Sequence, residues 1–128
     1  MHGSKSDFPE TIVSEKMIIQ ELEWDNLHVA FITHKESSEI VPFIQGLPEG
    51  RCQCPHWGYV IKGSMKVCYK DHEEEVKAGN VFYLPSGHIT AMEAGTEVVQ
   101  FSPKDLMQKT KEAVKRNMQE RKEQEKHE

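Results

Sequence analysis

The chain has 128 residues, 37% of them hydrophobic, with 16 basic against 21 acidic side chains and a net charge of −5. That length suits one compact domain and is short for two. No apolar run approaches the ~18 residues of a membrane span. The opening Met1-His2-Gly3-Ser4-Lys5-Ser6-Asp7 has no apolar stretch after its charge, which argues against a secretory signal. A cytoplasmic protein without a membrane partner is expected. Residues 104–128 carry a net charge of +2 and residues 1–103 one of −7. The basic tail is interleaved with Glu at helical spacings, a solvated helix rather than a nucleic-acid face.

Residues 1–11 are mostly polar and read as a flexible N-terminal arm. Met17, Ile18 and Ile19 stand together without helical period, and a strand is expected near 16–22. Trp24-Asp25-Asn26 is a turn. Leu27 to His34 alternates as a second strand. Lys35 to Glu39 is a polar loop, and Ile40 to Ile44 is a short extended piece whose Pro42 assigns it to an edge. Past the break at Gly46-Leu47-Pro48-Glu49-Gly50, two β-rich runs flank Gly63-Ser64, which predicts a hairpin. Asp71-His72, Gly79-Asn80 and Pro85-Ser86-Gly87 punctuate further short strands through Phe101. Strands at spacings near ten residues argue for an antiparallel sandwich or barrel. Ser102-Pro103-Lys104-Asp105 then has the form of a helix start, with Ser102 as N-cap and Pro103 at the first helical position. Leu106, Met107, Ala113, Val114 and Met118 make a narrow apolar stripe. The helix is expected on the outside of its own barrel or a neighbour's. It should fray after Met118, where apolar residues end.

Cys52, Cys54 and Cys68 are odd in number and poorly spaced for bridging, so reduced thiols are expected. Cys68, between Val67 and Tyr69, reads as core. His28 and His34 share a strand face and are expected to meet solvent or a partner subunit. His2, His72 and His127 lie in polar stretches and read as solvated.

The stretch from Gly50 to Phe101 resembles the cupin family. His56 is followed by six residues and then Gly63, where the family has an acid, six residues and Gly. Gly79, five residues, Pro85, one residue and Gly87 matches the family's second motif, and fifteen residues separate Gly63 from Gly79. The resemblance implies an all-β jelly-roll (cupin-like) β-barrel over 12–102, followed by one C-terminal α-helix over 103–128. The metal half of the signature departs from the family. His56 stands where the family has its Glu, the two preceding His positions fall on Gly50 and Cys52 or on Glu49 and Arg51, and the last falls on Thr90. A second register, counted from Gly50, makes His56 the first family His and puts Gly58 in place of the second.

Other metal ligands lie nearby. Cys52, Cys54 and His56 share a parity, so an extended chain turns all three to one face, although Pro55 disturbs that alternation. Cys54 and His56 form with His88 a candidate site for a divalent transition metal (zinc, nickel, iron or manganese), with Cys52 or Glu93 in reserve. Trp57, Tyr59 and Thr90 are candidate walls of a ligand cavity. No catalytic residue can be assigned, and no organic cofactor is indicated. The expected function is binding of a small molecule in the barrel interior, through a Cys/His-bound metal where one is held. The alternative is a metal-dependent enzyme of dioxygenase, isomerase or decarboxylase type, acting on a small polar metabolite. A homodimer is expected, in which the strand from Met17 and the Leu106 helix cover the barrel's sheet edges across a two-fold axis.

Overall fold

The computed structural model describes residues 1–39 and 46–127. The extended piece expected at Ile40 to Ile44 lies outside them. The chain is mostly β with antiparallel sheets and one C-terminal helix. In chain order the strands are β1 (Glu10–Val13), β2 (Met17–Trp24), β3 (Leu27–His34), β4 (Ser38–Glu39), β5 (His56–Lys62), β6 (Ser64–Cys68), β7 (Glu73–Lys77), β8 (Val81–Leu84), β9 (Ile89–Met92) and β10 (Glu97–Pro103). Helix α1 (Lys104–His127) ends the described chain.

Six strands form one sheet in the order β1-β2-β3-β10-β5-β8, and four form another in the order β4-β9-β6-β7. Alternation along each strand turns one set of side chains inward. Val60, Phe82, Leu84 and Val98 of the larger sheet pack against Met65, Val67 and Val76 of the smaller one, and this is the core. The expected closed barrel is therefore corrected to two facing sheets that are not closed into one.

Gly63 is where the reading fails locally. It does not turn a hairpin, because β5 pairs with β10 and β8 while β6 pairs with β7 and β9. It carries the chain from one sheet to the other at φ 81°, and a Cβ there would lie 2.4 Å from Thr96 Oγ1. Only glycine meets both demands.

Gly58 is a second close approach. A Cβ on it would stand 2.3 Å from the Val99 carbonyl oxygen and 2.5 Å from Phe82 Cζ. Gly58→Ala is expected to destabilise the fold by about 1–3 kcal/mol, the usual range for overpacking. Urea unfolding with an unchanged midpoint would contradict this packing.

The N-terminal arm also differs from the reading. Lys5–Asp7 forms a 3-10 turn, and Phe8 is buried edge-on against Trp24 and Phe31. Lys5 pairs with Glu97 at 2.8 Å, and β1 adds to the sheet edge at β2. One aromatic side chain among polar neighbours ties this segment to the outer face of the larger sheet. Backbone that was read as an arm thus supplies a strand.

The helix begins at Lys104, one residue after β10 ends, and its backbone remains helical beyond Met118. Ser102 and Pro103 belong to β10, not to a cap. The helix does not ride on the outside. Its Met107, Lys111 and Val114 face His28, Ala30 and Gln100, residues of the larger sheet's inner face, across a cavity of about 50 Å³. The amphipathic stripe thus closes the end of the sandwich that the smaller sheet leaves open. No helix among the described residues is long and apolar enough to cross a membrane.

Candidate metal centre

One strand and two connecting segments bring the site together. Cys52 lies in the loop before β5 and makes an isolated bridge with His88, its amide donating to the His88 carbonyl (3.0 Å). Gly87 donates back to the Cys52 carbonyl (2.8 Å), and the Arg51 guanidinium reaches the carbonyls of Gly87 and Cys68. The loop ahead of β5 is thereby sewn to the turn ahead of β9. His56 opens β5 with its side chain inward, beside Ser102 of β10.

One ligand atom each from Cys52, His56 and His88 lies within 4.8 Å of the other two. Cys52 Sγ is 3.6 Å from His56 Nε2, and the two imidazole centroids are 5.0 Å apart. All three side chains are buried, at 4%, 5% and 2% exposure. The second nitrogen of each ring is occupied. His88 donates from Nδ1 to the Pro85 carbonyl (2.8 Å), and His56 Nδ1 lies 2.6 Å from Ser102 Oγ. Both Nε2 atoms are left to bind, which is the outer support that imidazole ligands ordinarily have.

Electrostatics favour neutral imidazoles here. Burial, reinforced by the neighbouring His88 and His28, pushes His56 down to about 3. Burial also lowers His88, against the opposing pull of the Pro85 carbonyl. The Cys52 thiol is raised by burial, only partly offset by hydrogen bonds with Thr110 and the Cys54 backbone. A metal would have to displace that thiol proton, whereas the imidazoles need lose none. The donors fit a borderline-soft divalent ion, because thiolate and imidazole select zinc and its neighbours over oxygen-seeking ions.

Of the residues expected at the site, three meet and the others go elsewhere. Cys54 is buried, but its sulfur lies near the Pro55 carbonyl (3.5 Å) and outside the three-residue cluster. Burial and the adjacent Cys52 push it up to about 12, with a bond to Ser102 opposing. Leu47, Ile89, Met107 and Val114 pack against both cysteines; outside the ligand cluster, Cys54 contributes this packing alone. Glu93 is exposed on a groove of the smaller sheet. Thr90 pairs with Val67 away from the cluster. Trp57 and Tyr59 point outward, since His56 and Val60 of the same strand face inward and side chains alternate. Cys68 is half-buried and outside the core.

The histidines expected at the surface of β3 are interior. His28 donates from Nε2 to Glu21 (2.9 Å), which also accepts from Thr11 and Lys111. His34 is buried at the far end of the same strand. Three contributing residues were missed by the sequence reading. Ser102 had been assigned to a cap, Thr110 of α1 lies 3.6 Å from Cys52 Sγ, and Lys111 ties the helix to Glu21. The helix therefore both covers the cluster and touches it.

No protein-family model matches the chain, and no curated protein matches it. Solved structures do. The polyketide cyclase RemF from Streptomyces resistomycificus superposes with a TM-score of 0.57 at 15% identity, covering 81% of this chain and 79% of that one. The EutQ protein of Clostridium difficile gives 0.52 at 15%, with 82% of each chain covered. Bacillus subtilis oxalate decarboxylase, a protein with Mn(II) centres, gives 0.53 at 19%, covering 79% of this chain but 28% of its own. These are cupin-fold proteins. This chain has the cupin fold. The donors brought together here are a thiol and two imidazoles, with no carboxylate in the cluster among the described residues.

Proposed function

We propose that this cupin-fold chain holds a divalent transition metal at Cys52, His56 and His88 and binds a small polar molecule beside it. The observation that carries the reading is the convergence of three buried soft donors within 4.8 Å, with the outer nitrogen of each imidazole already engaged. Zinc is the ion this set favours, ahead of nickel and iron. Manganese is disfavoured, because a thiolate replaces the oxygen donors it prefers. Three protein donors leave a coordination position open, the arrangement of sites where a metal polarises a bound molecule or water.

A second reading, a metal-dependent enzyme, is favoured by His28. Its Nδ1 is buried and has no hydrogen-bond partner among the described residues, while its Nε2 is held by Glu21. His28 also lines the cavity under α1. An imidazole oriented at one nitrogen and open at the other is the form a general base takes.

Protein purified without chelator, or exchanged against zinc, should carry one metal per chain by elemental analysis. Chain that stays metal-free after both treatments would overturn the proposal. If metal is bound, turnover lost in His28→Gln at full metal content would separate the enzyme from the binding module.

A further inference from the structure

We infer that the outer face of the six-stranded sheet at β5, β8 and β10 is an interface with a second copy of this chain, packed face to face about a two-fold axis. The register places two apolar rows side by side. Phe101 pairs with Trp57 and Trp57 with Tyr83; Val99 pairs with Tyr59 and Tyr59 with Val81. All seven positions are uncharged once Ile61, next outward on β5, is added. Val81 is 80% exposed, Tyr83 53% and Trp57 45%, and the Trp57 and Tyr83 rings stack at 5.2 Å.

The remaining outer surfaces are treated differently. Across β2 and β3 Phe8 covers Trp24 and Phe31, and only Leu27 at the start of β3 is left exposed among the large apolar residues described there. The smaller sheet's outer face is charged, with Lys66 paired to Glu73 (3.2 Å) and Glu75 beside Ser64. Among the described residues, six of the ten exposed large hydrophobics lie together in the β5/β8/β10 region. It reaches the sheet edge at β8, Val81-Phe82-Tyr83-Leu84, which has none of the charges or prolines that usually guard an edge.

Area and charge point to a second copy as the occupant. Six half-exposed large side chains present on the order of 600 Å² per protomer, taking about 200 Å² for each whole aromatic. Two such faces together reach roughly 1,200 Å², the lower limit of stable specific interfaces. A two-fold axis lets one patch cover itself, and a patch without charge has no like-charge penalty when it meets its own image. The Met17 strand and the Leu106 helix, the elements expected to cover sheet edges across the two-fold axis, lack such a patch. β2 is already paired on both sides, and Leu106 stands alone at 49% exposure.

Sedimentation velocity on the full chain between about 1 and 100 µM, where such an interface dissociates, should show a dimer of the 14.8 kDa chain. Val81→Lys and Tyr83→Lys, singly and together, should raise its dissociation constant at least tenfold with unchanged circular dichroism. Both side chains are more than half exposed, and Val81→Lys alone suffices if the pair unfolds. Leu106→Lys and Val13→Lys, which remove exposed apolar residues elsewhere, should leave the dimer intact. Trp57 emission should shift to the blue with rising concentration in wild type and in these controls. A monomer throughout the range, a species larger than a dimer, or a dimer lost in the controls but kept in the β8 variants would overturn the interface.

Discussion

Titrated with zinc, Cys52→Ala and His56→Ala should each bind at least about 100-fold more weakly than wild type, while Cys54→Ala binds as wild type does. The contrast between two cysteines one residue apart is the strongest consequence of the geometry. Cys52 Sγ lies 3.6 Å from His56 Nε2, whereas Cys54 Sγ lies 3.5 Å from the Pro55 carbonyl and outside the three-residue cluster. Removing a direct donor should exceed the 10–100-fold lost when only an outer-shell partner is removed. Ser102→Ala, which frees His56 Nδ1, tests that smaller range. Cys68→Ala, on β6, should leave the affinity unchanged. Isothermal titration, with cobalt absorption as a check for a thiolate ligand, reads the wild type and all five variants. Equal affinity in wild type, Cys52→Ala and His56→Ala would remove the metal centre. Loss in Cys54→Ala alone would move it to the other thiol.

The structure reverses the expected order of the two thiols, Cys54 as ligand and Cys52 in reserve, for a physical reason. Both share the parity of His56, and Pro55 makes the segment irregular, so alternation could not rank them. Other features were legible. The turns at Asp71-His72 and Gly79-Asn80 and the break at Pro85-Gly87 fall between strands as expected, because each carries residues that tolerate turn geometry. The orientation of Trp57 and Tyr59 was present in the period of two as well: once His56 faces inward, its odd-numbered neighbours face out. Taking them as cavity walls put chemical suitability ahead of alternation. Ser102 shows the opposite case. Ser-Pro before a charged run is a sound helix start, but its hydroxyl has a better partner 46 residues away, and no local pattern encodes that. The stripe on α1 marked which side of the helix is buried, not what buries it. Its destination depends on where two open sheets leave a gap, and that follows from Gly63 passing the chain between them.

The interior position of the β3 histidine at the other end of the fold has its own consequence: stability should fall as pH drops from about 6.5 to 4. Burial pushes His34 down to about 4, against 6.5 for an ordinary imidazole. The unfolded chain therefore takes up a proton in that window while the folded chain does not, and by linkage folding weakens. Above 6.5 the contribution is fully present. Below about 4 both states are protonated and it is gone. A shift of this size corresponds to a change on the order of 3 kcal/mol. Glu21 acts in a lower window. Burial raises its carboxyl, but hydrogen bonds from His28, Lys111 and Thr11 outweigh this and hold it at about 2, against 4.5. Its stabilisation is complete above 4.5 and disappears as pH falls toward 2. Because one of its partners is on α1, loss of Glu21 should loosen the helix first. Urea unfolding at pH 7.5, 5.5 and 4 reads the upper window. His34→Gln, which cannot titrate, should reduce the decline between pH 7.5 and 4, whatever it does to stability at pH 7.5. Glu21→Gln should leave that upper decline in place and weaken the fold at every pH above 4.5. A wild-type chain equally stable at pH 7.5 and 4, or a decline identical in His34→Gln, would show that His34 is not held neutral by burial.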